Sequence, residues 1–261
     1  MEHTKTNNSA EDAGATRESF RPVPNTRSDT ALGKLKFYGR MLLDLQILTI
    51  FRDIRKFMPA LSGEVLDVGC GQSPYKFLLD GSRTTYHGID IVDAQKFDYS
   101  NPDITPFNGV DIPFEDNSFD AVVCTEVLEH VFHHARLVSE MHRVLKPGGA
   151  GLITVPWSAR YHYISYDYFR YTPSALSKIF DNFSSVEVSP RGNDIAVIAN
   201  KLIVLWARNL LPSSGANLFL IPLWIVALPL LFVCVCFAHL SMLLSFGSTA
   251  DPLGYTVTVR K

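Results

Sequence analysis

Three stretches of this sequence hold residues whose types and spacing could do chemistry. The first is Glu64-Val65-Leu66-Asp67-Val68-Gly69-Cys70-Gly71, an apolar run that ends in a glycine turn. Glycine admits positive φ and lets backbone N–H groups approach a ligand with no Cβ in the way. Gly69 and Gly71 therefore suit a cradle for a polar cofactor, the more so if a helix begins behind them. The second is Asp90, which closes Thr85-Tyr86-His87-Gly88-Ile89 about 20 residues further on, where doubly wound folds set a carboxylate on ribose hydroxyls. A carboxylate can accept from both hydroxyls of a vicinal diol. The third is Thr125-Glu126-Val127-Leu128-Glu129-His130. On a helix, Glu126, Glu129 and His130 fall at i, i+3 and i+4 on one face. An imidazole that titrates near neutrality suits general base work.

Elements that would position these residues can be read from hydropathy and breakers. Strands are expected at 64–69, 84–90, 119–124, 151–155 and 186–188, with a third strand in chain order near 107–111. Helices are expected at 74–80, with Pro74 in the first turn, at 134–146, stopped by Pro147-Gly148-Gly149, and from Thr172-Pro173 to about Phe180. The second crossover, Asp93 to Phe107, is short and holds prolines, so its helix is reduced or absent. Alternation of strands and helices implies an α/β fold with a mostly parallel sheet. A nicotinamide enzyme would share this plan. Pro74 stands where G-x-G-x-x-G needs its third glycine, which counts against a dinucleotide.

Leu66-Asp67-Val68-Gly69-Cys70-Gly71, Ile112-Pro113-Phe114-Glu115-Asp116-Asn117-Ser118-Phe119-Asp120 and Arg143-Val144-Leu145-Lys146-Pro147-Gly148-Gly149 occur in that order. Together they resemble class I S-adenosylmethionine-dependent methyltransferases, of the type found in quinone biosynthesis and in bacterial glycan clusters. The resemblance covers residues 60–190, approximately, and the last strand. It implies a Rossmann-like seven-stranded sheet, S-adenosyl-L-methionine as cofactor and methyl transfer as activity. It implies that Asp67, Gly69 and Gly71 surround the methionine part of the cofactor and that Asp90 holds the ribose. A polar residue just after the third strand would meet adenine; Asn108 and Asp111 are the two candidates, and Asp111 suits a turn cap before Pro113 equally well. Glu126, Glu129 and His130 would line the pocket near the reacting methyl, with His130 as base for an oxygen acceptor. Related quinone O-methyltransferases and plant small-RNA methyltransferases hold a divalent ion with a similar E-x-x-E-H. Here these residues are read as pocket lining or helix capping in preference to a metal site, with a divalent ion at Glu126, Glu129 and His130 left open.

The aromatic stretches Val155-Pro156-Trp157-Ser158-Ala159-Arg160-Tyr161-His162-Tyr163 and Asp167-Tyr168-Phe169-Arg170-Tyr171-Thr172-Pro173 suit a lid over the acceptor. The D-Y-F-R-Y-T run resembles methyltransferases encoded with bacterial surface-polysaccharide genes. The bland alternative is that Phe169 and Tyr171 anchor the next helix while Asp167 and Arg170 pair with each other.

The chain has 261 residues, a net charge of −2 and 47% hydrophobic residues, enough for one domain with additions and no argument for a nucleic-acid partner. Cys70, Cys124, Cys234 and Cys236 show no metal or disulfide spacing, which fits a reducing compartment. Residues 1–30 are polar and read as a disordered tail without a signal peptide. Residues 31–60 read as an amphipathic helix with Leu35, Tyr38, Leu42, Leu45, Leu48, Phe51, Ile54 and Phe57 on one face and basic residues on the other. Residues 61–194 form the catalytic domain, 195–250 a hydrophobic insertion, and 251–261 a strand that returns to the sheet. Asn209 to Ala250 holds no Asp, Glu, Lys or Arg, and Leu218–Cys236 alone is long enough to span a bilayer. A single crossing would strand the last β-strand on the wrong side. A bent pair of helices embedded in one leaflet is therefore favoured over transmembrane helices and over a soluble cap. The reading that follows is a methyltransferase on the cytoplasmic face of a membrane, acting on a lipid-linked, glycan or quinone-type small-molecule acceptor. The alternative is a non-catalytic module that binds S-adenosylmethionine at the membrane. The acceptor atom and the oligomeric state are left open.

Overall fold

The computed structural model describes residues 26, 29–91, 101, 104–163, 166–210, 219 and 221–261. The chain opens with two helices, α1 (Ala31–Arg40) and α2 (Leu45–Phe57). Then follow β1 (Gly63–Val68), β2 (Thr84–Ile91), β3 (Ile104–Phe107), β4 (Phe119–Thr125), α3 (His134–Val144) and β5 (Leu145–Pro156). The last elements are α4 (Pro173–Ile179), β6 (Ser185–Arg191), α5 (Asp194–Leu210), α6 (Ile221–Val226), α7 (Leu228–Leu244) and β7 (Gly254–Arg260).

The strands form one seven-stranded sheet in the order β3-β2-β1-β4-β5-β7-β6. β7 alone runs antiparallel, between β5 and β6, with Ile153 opposite Val257 and Val188 opposite the same residue. Alternate side chains of a strand face opposite ways, so each face of the sheet has its own core. Leu66, Val68, Val122 and Cys124 pack with Leu137, Met141, Leu176 and Phe180 of α3 and the α4 region. Val65, Ala121, Val123 and Leu152 pack with Phe37, Ile50, Phe51 and Ile54 of α1 and α2. Each fully buried large side chain contributes about 1.5–3 kcal/mol of hydrophobic free energy.

Several expectations are corrected. The single helix over 31–60 is two helices, because Asp44 accepts from Ile47 N at 3.1 Å and caps a new start, while Arg40 holds its other oxygen. The helix expected at 74–80 is only a 3-10 turn, Lys76–Leu78. Tyr75 and Phe77 are drawn onto α1 and α2, with the Phe77 ring 5.7 Å from Phe37 and 6.4 Å from Phe51, and the backbone follows them. The glycine turn thus has no helix N-terminus behind it. The third strand lies at Ile104–Phe107, earlier than expected, and pairs Asp90 with Pro106. The disordered-tail reading of 1–30 falls almost wholly outside the described residues.

Within the hydrophobic insertion, α5 and α7 pack together through Ala196, Val197, Ala199 and Ala238, and α6 is a separate short helix. No helix among the described residues is long and apolar enough to cross a membrane. α7 has 17 residues, about 26 Å at 1.5 Å per residue, against a hydrocarbon core of about 30 Å. Pro229 sits at its start and Ser245, at φ 55°, ends it in the left-handed region. The transmembrane-helix alternative thus has no such helix among the described residues.

Candidate functional site

β1 and β4 lie side by side and parallel, Val68 opposite Cys124, so the turns that follow them face each other across the carboxyl end of the sheet. Gly69 has φ 68° and Gly71 φ 52°. A Cβ on Gly69 would stand 2.4 Å from Val127 Cγ2, so only glycine lets these two turns approach. Between them opens a cavity of about 320 Å³, lined by Gly69, Gly71, Asp90, Glu126, His130 and Tyr163, among others. That volume lies in the range of about 300–1,000 Å³ usual for small-ligand sites. Its position matches the place where open α/β sheets bind ligands.

Asp90 is buried and turns its two oxygens on the backbone: Gly71 N donates to Oδ2 at 2.8 Å and Ile91 N to Oδ1 at 2.7 Å. The acid at the end of β2 thus sets the glycine turn after β1. Asp67 lies just behind the turn, buried, and is not among the cavity-lining residues. Tyr86 Oη bonds Asp67 Oδ2 at 2.7 Å and Ser73 Oγ at 2.9 Å. Burial pushes the Asp67 carboxyl up to about 7, against the Tyr86 hydrogen bond and with help from the Asp90 charge. Of the two acids, Asp90 alone faces the cavity, and Asp67 lies buried behind it.

Asn108 and Asp111 do not line this cavity. Asn108 Oδ1 accepts from Val110 N and Asp111 N, and its amide donates to Asp111 Oδ2 at 2.9 Å. Asp111 also pairs with Arg136 of α3. Both side chains thus serve a turn at the surface, which fits the cap alternative for Asp111.

The run from Glu126 to His130 is not an α-helix. Glu126 has φ 54°, and Leu128–His130 make a single 3-10 turn. The three side chains consequently do not share a helix face. Glu126 lines the cavity while its Oε1 accepts from Arg191 Nη2 at 2.7 Å. Arg191, at the end of β6, is buried and also reaches Thr49 Oγ1 of α2 and the Val155 carbonyl. No local sequence signal links Thr49, Glu126 and Arg191; only the strand order brings them together. Glu129 is fully buried, and burial pushes its carboxyl well above the usual range, with the nearby Glu126 charge adding to the shift.

His130 lines the cavity, and burial, with His162 nearby, pushes its imidazole down to about 4. It is neutral at pH 7. Its Nδ1 stands 2.8 Å from the Tyr166 carbonyl oxygen, which can only accept, so the proton is on Nδ1 and the Nε2 lone pair is open. The aromatic loop folds over this end of the sheet. Tyr168 N and Phe169 N donate to the Glu129 carbonyl at 2.8 and 3.3 Å, and Tyr171 Oη to the Leu128 carbonyl at 2.8 Å. Asp167 and Arg170 pair with each other, as the bland alternative holds. Tyr163 and Tyr166 nonetheless reach the cavity wall, joined by Ile47 and Ile50 of α2, two residues outside the apolar face read from the sequence.

A methyltransferase-domain family model matches residues 66–153 of the chain. A probable S-adenosylmethionine-dependent methyltransferase of Mycolicibacterium smegmatis is 35% identical over 97 residues, 36% of this chain and 38% of that protein. A demethylmenaquinone methyltransferase of Geobacillus stearothermophilus is 30% identical over 163 residues, 54% of this chain and 68% of that protein. The chain spans only 38% to 61% of the length of three other comparisons among its curated relatives, the Mycolicibacterium protein included. The crystal structure of a SAM-dependent methyltransferase from Archaeoglobus fulgidus is similar in fold, with a TM-score of 0.50 at 16% identity over 87% of this chain and 99% of that one.

Proposed function

Because the chain belongs to the class I S-adenosylmethionine-dependent methyltransferase family, we propose that it transfers the methyl group of S-adenosylmethionine to a lipid-borne acceptor at a membrane surface. One observation carries the cofactor reading. The acid Asp90 fixes the Gly71 turn at the mouth of a cavity where a Cβ at Gly69 could not fit. The residues fit the cofactor: a glycine turn for the methionine part and a carboxylate for the ribose, with Asp67 buried behind the turn. The cofactor supplies an activated methyl group. The chain supplies proximity and orientation, which account for most of the rate in such a transfer. An oxygen acceptor must also lose a proton, and the open Nε2 of neutral His130 is suited to take it. Glu126 holds the wall through Arg191, and Glu129 backs His130.

The membrane reading rests on an exposed apolar surface. On α7, Leu230, Phe232, Val233, Phe237, Leu240, Leu243 and Leu244 are exposed; Leu223, Ile225 and Val226 of α6 and Leu32 and Leu35 of α1 are exposed too. His239 Nε2 donates to the Leu42 carbonyl at 2.9 Å, so α7 and the α1–α2 turn adjoin. Soluble monomers rarely expose so many contiguous apolar side chains. Lys34 and Lys36 on α1 are exposed beside them and complement an anionic leaflet. Apolar helices docked in one leaflet would raise the local concentration of a lipid-borne acceptor.

The test is radiolabelled methyl transfer from S-adenosylmethionine into a bacterial lipid extract, with S-adenosylhomocysteine measured in parallel. Label in the lipid fraction supports the reading. Cofactor binding with no S-adenosylhomocysteine would replace it with the non-catalytic module. Flotation with anionic vesicles tests the membrane part: the chain should float, Phe232→Asp/Phe237→Asp should not, and a wild-type chain that stays in the soluble fraction would refute it.

A further inference from the structure

One helix separates the cavity from the apolar surface. In the first two turns of α2, Ile47 and Ile50 line the cavity. Leu45, fully buried on another side of the same turns, packs with Ala196, Val197 and Ala199 of α5 and Ala238 of α7. The turn before α2 leaves Leu42 and Leu43 exposed, and the Leu42 carbonyl accepts from His239 of α7. On α1, Leu32, Leu35 and Tyr38 recur at i, i+3 and i+6 and are all exposed, so one face of that helix shows apolar side chains to solvent. Its opposite side is spent on the core, where Phe37 meets Phe51 and Phe77. Exposed apolar side chains therefore run from α7 across Leu42 and Leu43 to the start of the helix that walls the cavity. Tyr166 lines the cavity and is itself 47% exposed, which places it at the mouth.

The charge inside the cavity is of one sign. No lysine or arginine is among the described residues that line it, and Asp90 and Glu126 are its acids. Both are already engaged, Asp90 by the backbone N–H groups of Gly71 and Ile91, Glu126 by Arg191. Around Glu126 and His130 the walls are Ile47, Ile50, Val127, Val131, Tyr163 and Tyr166. A phosphate or carboxylate placed here would lose its hydration, meet two negative charges and find no cation to pair with. A cationic head gains little, because Arg191 already matches the Glu126 charge. A hydroxyl needs only an acceptor for its proton, which the open Nε2 of His130 supplies.

We propose that the cavity takes an uncharged amphiphile directly from the leaflet: its hydroxyl-bearing head sits beside His130, and its apolar chain leaves past Ile47 over Leu42 and Leu43 and stays among the lipid chains. This rests on the reading of the chain as a methyltransferase at a membrane surface and narrows that reading to one class of acceptor and one route. Charge is sorted by place. Lys34 and Lys36, exposed on α1, face anionic headgroups outside, while the cavity admits the head that carries no charge. A chain that stays in the leaflet is never transferred into water, so the route over Leu42 and Leu43 removes the cost of extracting it. A lipid whose phosphate must enter the cavity is refused.

Photolabelling with two single-chain lipids of equal length tests it. The full chain is bound to vesicles of phosphatidylglycerol and phosphatidylcholine that carry either a monoacylglycerol or a lysophosphatidic acid, each with a diazirine near the head of its chain. Labelled residues are mapped by mass spectrometry. The monoacylglycerol labels α7 and also the cavity, at Ile47, Ile50, Tyr163 or Tyr166; the lysophosphatidic acid labels α7 alone. Leu42→Asp/Leu43→Asp lowers cavity labelling by at least about tenfold, as the loss of two leucine contacts with the chain implies, and leaves the α7 label in place. Near-UV circular dichroism checks that the variant is folded, and Leu42→Ser/Leu43→Ser replaces it if it is not. Label on α7 but not in the cavity with the monoacylglycerol, equal cavity labelling by both lipids, or cavity labelling untouched by the double substitution overturns the inference and leaves the membrane reading standing. A chain that takes no label at α7 either refutes the membrane reading, and this inference with it.

Discussion

Glu126→Gln separates the charge of the cavity wall from its shape. Gln keeps the length and an acceptor oxygen for Arg191 Nη2 but leaves the guanidinium without a counter-charge. Arg191 is 1% exposed at its side chain, and Glu126 is 26% exposed. Removing one partner of a fully buried pair costs about 3–5 kcal/mol, because the remaining charge stays buried. The solvent contact of Glu126 screens part of that, and the retained amide oxygen keeps one hydrogen bond. The expected loss is therefore about 2 kcal/mol. For a chain of this size each kcal/mol shifts Tm by about 2–4 °C, so Tm should fall by about 4–8 °C. Arg191→Met alone should cost less than its lost bonds suggest, since Glu126 can turn to water. The double variant should recover part of the Glu126→Gln loss, a coupling that a thermal-melt cycle reads directly. A Glu126→Gln chain that melts within 1 °C or so of wild type would refute the claim that a buried cation is held here by a single acid.

Gly69→Ala should weaken S-adenosylmethionine by at least about tenfold, since the residue must hold φ 68° and its Cβ meets Val127 Cγ2 at 2.4 Å; calorimetry reads it, and Val127→Ala in the same chain should restore part of the affinity. Asp67 gives a pH dependence of stability. Its folded pKa of about 7 exceeds the unfolded 3.8, so between those values the folded state holds a proton that the unfolded state has released. Stability contributed by this group therefore falls as pH rises from about 4 to about 7, and Asp67→Asn should flatten that slope in urea unfolding. His130→Ala should slow transfer to an oxygen acceptor by about 10²–10⁴-fold while leaving cofactor affinity near wild type; equal turnover in steady-state assays would remove His130 as base.

Much of the sheet is written locally. Val65-Leu66 and Val122-Val123 are apolar runs that only a two-faced strand can bury, and the alternation of Tyr255, Val257 and Val259 marks the returning strand before any partner is known. The glycine turn and Asp90 are legible because their residue types are tied to one backbone task each. What fails is where a tertiary contact overrides local propensity. Ser73 to Asp80 has a helix-compatible pattern, but Tyr75 and Phe77 gain more by packing on Phe37 and Phe51. Glu126 to His130 reads as helical by spacing. The left-handed Glu126 and the carbonyl of Glu129, which receives the loop amides of Tyr168 and Phe169, instead commit it to a turn. Arg191 reaches Glu126 from 65 residues away in sequence, and no periodicity announces it.

The claim on which the account depends is that Gly69, Gly71 and Asp90 form an S-adenosylmethionine site. Isothermal titration of the full chain with S-adenosylmethionine tests it most directly. The account predicts one saturable site in the wild type, and in Asp90→Ala an affinity lower by about 10–100-fold, as loss of a charge-assisted hydrogen-bonding group implies. No heat with the wild type, or equal affinity in Asp90→Ala, would contradict it.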